Sequence, residues 1–208
     1  MQATAVTAIS PEFVNLKARL RRTWMAGDYD RFSRYMEGSA RDFYERMNVA
    51  PGSQLLDVAC GSGTLALMAA RDSLYVTGVD IAGNLVERAR ARANAESLLA
   101  HFEEADAEAL PFEDASFDVV VSLIGAMFAP RPDRVAQELL RVCSPGGTDR
   151  HGELDSGGIR WADVQGHIKI HSALWDALAA FMGKRSDRSR ATRRGAIGAE
   201  PGPPLLHF

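Results

Sequence analysis

Cysteine is scarce in this chain: Cys60 and Cys143 are the only two among 208 residues, far apart and without metal-ligand spacing. That excludes a disulfide framework and a thiolate metal site, and it suits a reduced, cytoplasmic setting. Long apolar runs are missing as well. No stretch approaches the roughly 18 residues a membrane helix needs. The first ten residues, MQATAVTAIS, lack the basic-then-apolar layout of a secretory signal. A net charge of −3 offers no general excess of positive charge. We therefore expect no nucleic-acid partner and no membrane partner. Lysine is confined to Lys17, Lys169 and Lys184 while arginine is abundant, a bias of GC-rich coding sequence.

What is present is the pattern of one α/β domain with an appendage, which 208 residues can accommodate. Residues 11–25 carry Phe13, Leu16, Leu20 and Trp24 at helical steps. Tyr29, Phe32, Tyr35 and Met36 continue a helical pattern after Gly27-Asp28, and Phe43, Tyr44 and Met47 lie on a further short helix. After Pro51-Gly52, strands and helices alternate, the signature of a parallel sheet. Strands are expected at 55–59, 75–79 (ending at Asp80), 100–102 and 117–122. Helices are expected at 64–71 and 83–96, and from Pro132 to the Pro145-Gly146-Gly147 break.

The chemistry gathers at the strand ends. Leu55-Leu56-Asp57-Val58-Ala59 runs into Cys60-Gly61-Ser62-Gly63, whose glycines permit positive φ and a close backbone approach. The following helix aims N–H groups at that loop, which suits an anionic group. Asp57 needs a polar partner inside its strand, either a bound ammonium or the loop's own amides. Asp80 ends the next strand 17 residues after Gly63, where an acidic acceptor would meet ribose hydroxyls. Asp106-Ala107 follows the third strand and could face an adenine, and Leu123 and Ile124 follow the fourth.

These pieces in order form a series: Asp57-x-x-Cys60-Gly61-x-Gly63, Gly78-Val79-Asp80, Asp106 to Phe112, Phe117-Asp118, and Arg141 to Gly147. The series resembles that of small-molecule class I S-adenosylmethionine-dependent methyltransferases, over roughly residues 11–147. The resemblance implies a Rossmann-like three-layer α/β sandwich with a mostly parallel sheet. It implies S-adenosyl-L-methionine as cofactor and methyl transfer to a small-molecule acceptor. It places Gly61 and Gly63 against the methionine part, Asp80 on the ribose and Asp106-Ala107 at the adenine. Trp24 to Tyr29 resembles the lid helices of some members. The expected cofactor contacts are Asp57, Ala59, Cys60, Gly61, Ser62, Gly63, Asp80, Ile81, Asp106, Ala107 and Leu123. No catalytic base is assigned. His101 is expected within a strand, away from the pocket mouth, and Cys60 is read as a small residue fitting the turn.

Rival readings are weaker. Gly61-Ser62-Gly63-Thr64-Leu65-Ala66 also satisfies the dinucleotide pattern G-x-G-x-x-A. Against an NAD-dependent oxidoreductase, Asp57 interrupts the first strand, and none of Tyr29, Tyr35, Tyr44 and Tyr75 begins a Tyr-x-x-x-Lys pair. A non-catalytic cofactor-binding remnant is the alternative from another class. His167 and His171 have i, i+4 spacing but no acidic or cysteine partner, so we expect no metal.

Three regions are expected: a helical lid over 1–50, a cofactor-binding core over 51–147, and an atypical, poorly ordered tail over 148–208. Up to Gly147 there are 15 basic and 20 acidic residues; beyond it there are 9 and 7. The resemblance calls for an apolar fifth strand after Gly147, which Thr148 to Asp155 cannot form. Residues 168–182 read as an amphipathic helix through Leu174, Trp175, Leu178 and Phe181, and 184–194 as a solvated basic run. Permitted codons for Thr148 to Gly158, read in another frame, yield Arg-Ile-Ala-Met-Ala-Asn-Trp-Thr-Pro-Glu-Gly, which resembles family sequence. We therefore expect a frame shift near Gly147. We also expect the far half of the sheet to be incomplete, with the fourth strand left as an exposed edge, weak stability and little turnover. The nucleotide sequence across codon 147, joined to an intact mass of the native protein, tests this: an uninterrupted frame overturns it.

Overall fold

The computed structural model describes residues 10–145 and 168–170. Three helices come first: α1 (Pro11–Ala26), α2 (Tyr29–Tyr35) and α3 (Glu37–Met47). Strands and helices then alternate through β1 (Gln54–Val58), α4 (Thr64–Arg71), β2 (Tyr75–Asp80), α5 (Gly83–Ala95) and β3 (Ala100–Glu104). β4 (Val119–Ser122), a 3-10 turn (Gly125–Phe128), α6 (Pro132–Val142) and β5 (Ile168–Ile170) complete the described elements. The sheet order is β3-β2-β1-β4-β5 and all its pairings are parallel. Such an order puts the C-terminal ends of β1, β2 and β4 together at the point where the winding reverses, the place where open α/β sheets take ligands.

Both faces of the sheet are buried, as parallel sheets require. Alternation along each strand sorts the side chains. Leu56, Val58 and Val120 face Val135, Leu139 and Val142 of α6. Leu55, Val119 and Val121 face the other layer with Leu67, Val86, Ala89 and Phe102. Phe43 and Met47 of α3 join that second layer, so the N-terminal helices are anchored in the core through α3. α1, by contrast, buries no residue. Its expected apolar stripe does not enter the core: Leu20 and Trp24 face a cavity, and Leu16 is exposed.

Arg141 near the end of α6 explains part of the last sequence motif. Its guanidinium donates to the carbonyls of Phe112 and Leu110 at 2.6 and 2.9 Å and pairs with Glu138 and Asp114. Glu138 in turn accepts from the Leu110 amide at 2.8 Å. The long connection between β3 and β4 is thereby stapled to α6, and backbone groups that its irregular path would leave unpaired are satisfied.

The expected elements before Pro145 fall within a few residues of those observed. Regular pairing of the fourth strand starts at Val119, not Phe117, because Phe117 bridges Cys143 where the chain leaves α6. Two expectations beyond it are corrected. Residues 168–170 are not the start of a helix; they form β5, paired in parallel with β4 so that Val120 stands opposite Ile168 and Ser122 opposite Ile170. β4 is therefore not an exposed edge, since its outer backbone groups are taken up by β5, and the instability expected from that edge loses its cause. A β-branched and lysine run of only three residues carries no period from which a strand could be told. The rest of the expectations for 148–208, including the His167/His171 pair, lie outside the described residues. Among the described residues no helix is long and apolar enough to cross a membrane.

Gly78 shows how tightly this core is built. A Cβ there would lie 2.6 Å from the Phe102 ring and 3.0 Å from Cys60 Sγ. The ring is fully buried and has no room to yield. Gly78→Ala is expected to destabilise the fold by about 1–3 kcal/mol through overpacking, read as a lower denaturant midpoint in urea unfolding.

Candidate functional site

The loop after β1 is shaped by backbone strain as well as by glycine. Ala59, Gly61 and Gly63 have φ of 59°, 57° and 81°, all left-handed. Glycine adopts that region freely, while an alanine there is held only by its surroundings. Cys60 N donates to Val79 O at 3.0 Å and Gly63 N to Cys60 O at 3.0 Å, which ties the loop to β2 and closes its turn. Gly63 is the N-cap of α4 and gives that helix no side-chain cap. A Cβ on Gly63 would come within 3.2 Å of Ala89 and Phe102, so glycine here also permits close packing of loop and core.

Two buried carboxylates hold this loop. Asp57 Oδ2 accepts from the Ala66 amide in the first turn of α4 at 3.2 Å. Its partner is thus a helix amide and not one of the loop's own. Asp80 accepts from Gly61 N at 2.9 Å through one oxygen and from Ala82 N at 2.8 Å through the other. Burial raises Asp57 to about 8, against the hydrogen bond from Ala66 and with a push from Asp80. Burial also raises Asp80, opposed by the amides of Ala82, Gly61 and Ile81. Burial, with the charges of Asp57 and Asp80, pushes the Cys60 thiol well up, so it is no thiolate nucleophile.

A cavity of about 590 Å³ opens over the loop. Its floor includes Asp57, Ala59, Cys60, Gly61 and Ser62, with Asp80, Ile81 and Leu123 at the neighbouring strand ends. A side cavity of about 50 Å³ continues from it beneath α1, sharing Ala59, Asp80 and Ile81 and adding Asp106 and Ala107. Of the eleven residues expected at a cofactor, only Gly63 lines neither cavity; it acts beneath the loop instead. His101 lies on β3 with its ring largely exposed, outside both cavities.

Several residues at the site escaped the sequence. Lys17 Nζ reaches from α1 to Asp106 at 2.5 Å and to Glu108 at 2.6 Å. Glu108 is fully buried and also takes Arg131 Nε at 2.6 Å and the Arg131 amide at 2.8 Å. Asp106 is thus already engaged by the N-terminal helix. Arg21 adds a pair to Glu104 and donates to Ile81 O at 3.2 Å. On the other side, Arg92 donates to Ser62 O at 3.0 Å, while the Ser33 and Ser62 hydroxyls meet at 3.4 Å. Gly125 abuts the loop so closely that a Cβ would sit 2.5 Å from that of Ala59. A lone lysine or serine carries no local pattern, so nothing in the sequence marked these partners. Gly125, two residues after Leu123, was readable only as a small residue past a strand.

Residues 56–148 match the methyltransferase domain family. An uncharacterized protein of Mycobacterium tuberculosis is 42% identical over 134 residues, covering 64% of this chain and 49% of the relative. The methyltransferase GfsG of Streptomyces halstedii is 38% identical over 114 residues, covering 53% of this chain and 41% of that one. Among solved structures, the [4+2]-cyclase SpnF superposes with a TM-score of 0.54 at 31% identity, over 70% of this chain and 56% of the other. Over residues 56–148 the chain thus carries a domain similar to those of methyltransferases, in line with the resemblance to the class I S-adenosylmethionine-dependent enzymes. It spans about half the length of the curated relatives it matches.

The raised value of Asp57 fixes the sign of a pH effect. Its ordinary value is 3.8 and the folded one about 8, so the folded chain holds this proton more tightly than the unfolded chain. The associated stability is complete below about pH 4 and is lost as pH rises towards 8. Thermal unfolding of the ligand-free protein at pH 5 and pH 8.5 is expected to show a loss that Asp57→Asn reduces. An identical loss in the variant would remove Asp57 as its source.

Proposed function

We propose that this chain binds S-adenosyl-L-methionine at the loop after β1 and transfers its methyl group to a small-molecule acceptor in the cytoplasm. One observation carries the reading. Three acidic side chains, Asp57, Asp80 and Asp106, stand at the ends of β1, β2 and β3 around connected cavities and a strained backbone loop. The larger cavity is within the range of about 300–1,000 Å³ usual for small-molecule sites. The buried thiols of Cys60 and Cys143 accord with a reducing compartment. Similarity to a [4+2]-cyclase is a reason to test the reaction and not only the binding.

The residues present fit the cofactor. Asp57 lies buried with an amide as its hydrogen-bond donor, and an ammonium group would supply the positive charge that favours its ionised form. The first turn of α4, whose N-cap Gly63 has no side chain and whose Ala66 amide goes to Asp57, suits a carboxylate at its other amides. Asp80 keeps lone-pair capacity for vicinal hydroxyls beyond what it gives to backbone amides. Asp106 and Ala107 border the space for a purine edge, with Ile81 and Leu123 as apolar walls. The bound sulfonium supplies an already activated methyl group. What remains for the protein is to align the acceptor with it and to keep water out. Trp24, Tyr29 and Phe128, with ring centroids 4.8 and 5.1 Å from Trp24, form the cover that excludes water.

The side cavity of about 50 Å³ is too small for a purine while Lys17 spans Asp106 and Glu108. In this reading α1 shifts outward on binding, and Lys17 gives up Asp106 while Glu108 keeps its hold on Arg131.

Isothermal titration with S-adenosylmethionine, its demethylated product and NAD tests the reading. The first two are expected to bind and NAD is not. Asp80→Asn is expected to weaken binding of the product about tenfold or more, the worth of a lost charge-assisted hydrogen bond. Binding without methyl transfer across an acceptor screen would favour a non-catalytic remnant. NAD binding in place of the others would overturn the assignment.

A further inference from the structure

The larger cavity has two unlike walls. Its core wall carries the polar groups already described: Asp57, Ser62, Thr64 and Asp80. The opposite wall is built by Tyr29, Phe32 and Met36 along α2 and its end, and by Ile124 and Phe128 after β4. Among the described residues no lysine, arginine or histidine lines this cavity, and its carboxylates, Asp57 and Asp80, belong to the core wall. The basic side chains nearby are committed elsewhere. Arg34 pairs with Asp30 at 3.2 Å, Arg88 with Asp28 at 2.9 Å, and Lys17 with Asp106 and Glu108. The polar side-chain atoms of the outer wall are the hydroxyls of Tyr29 and Ser33, and that of Ser33 already donates to Asp30 O at 2.8 Å.

We infer that the acceptor is an uncharged, largely apolar molecule with a flat face, seated between α2 and the segment after β4. The inference rests on the methyltransferase reading for the word acceptor, though not for the chemistry of the wall. An anionic substituent placed there would lose its hydration with no cation lining the wall to replace it, and a cationic one would find no acid lining it, since Asp28 and Asp30 at the start of α2 are paired with Arg88 and Arg34. Apolar surface, in contrast, is available and uncovered. Phe32 and Phe128 are exposed at 59% and 45% although both line the cavity. The rings of Phe128, Trp24, Tyr29 and Phe32 follow one another at centroid distances of 5.1, 4.8 and 6.5 Å, a continuous aromatic surface running to the mouth. Aromatic walls of this kind hold planar or polycyclic apolar molecules by burial and by offset or edge contacts. Exposed aromatic surface beside a concave site is what such a ligand would cover.

The test uses the full chain and three probes of one shape: 1-naphthol, which is neutral, 1-naphthoate, which is anionic, and 1-naphthylmethylammonium, which is cationic. Each is titrated at neutral pH with and without saturating S-adenosylhomocysteine. Naphthol is expected to bind at least tenfold more tightly than either charged probe. Phe32→Lys, a change at an exposed position, is expected to bring naphthoate level with naphthol or ahead of it. Equal or tighter binding of a charged probe to the unaltered chain overturns the inference, as does failure of all three to bind. S-adenosylhomocysteine titrated alone separates the two readings. If it binds while naphthol shows no preference, the acceptor inference falls and the cofactor reading stands. If naphthol binds selectively and S-adenosylhomocysteine does not, the apolar site stands and the methyltransferase reading falls.

Discussion

The loop between β1 and α4 exists in its observed shape because two carboxylates are buried behind it. Asp57 reaches forward to the first turn of α4, and Asp80 reaches across from β2 to Gly61. A left-handed backbone at Ala59, Gly61 and Gly63 would relax if it were not held at both ends. The grip is electrostatically costly, since both carboxyls are pushed upward by burial and each adds to the burden of its neighbours. Buried acids that are dear to ionise, at the start of a helix and beside a cavity, make a place where a ligand with a positive charge at one end and a negative charge at the other relieves the protein as it binds. The sheet order brings that place to the winding reversal, so cofactor reading and fold follow from one arrangement.

Around this centre the structure relies on ions where it lacks apolar contact. α1 buries none of its residues and is fastened by Lys17 and Arg21 to acids on and after β3. Long charged side chains hold an element without burying a seam, and such a hold is salt-sensitive where it is exposed. A helix attached in this way is suited to covering a site and releasing it. The connection between β3 and β4 is secured by Arg141 and Glu138, and Glu108 performs the same task at the start of α6 through Arg131. What reads in sequence as a motif around Arg141 therefore has a structural reason, quite apart from any ligand.

Much of this was legible beforehand where local pattern and burial agree. Leu55 to Val58 and Val119 to Val121 are continuous apolar runs because strands in a parallel sheet are covered on both faces. Pro132 and Pro145 bracket α6 because proline suits a first turn and cannot continue a last one. The acids at positions 57, 80 and 106 stood out because a carboxylate at a strand end is conspicuous against its apolar neighbours. Pairing was far less visible. The attachment of Ile168–Ile170 to β4 joins residues some fifty positions apart, and a run of three has no period to betray it. The helical spacing of Phe13, Leu16, Leu20 and Trp24 was legible, but not that Leu20 and Trp24 would face a cavity while Leu16 stays exposed.

The order of strands and helices, the glycine loop and the acids near the strand ends follow from the amino-acid order alone, since each depends on residues close along the chain. The likeness of residues 56–148 to a methyltransferase domain is legible for the same reason, as the motifs are local and ordered. Packing in three dimensions sets who holds whom: Lys17 on Asp106, Asp80 on Gly61, Gly125 against Ala59, and an aromatic wall assembled from α1, α2 and the turn after β4. The three paired contacts join residues 19 to 89 positions apart along the chain, and the wall brings Trp24 against Phe128 from still farther. Their geometry is set by how the layers pack, and no short window of residues carries that information.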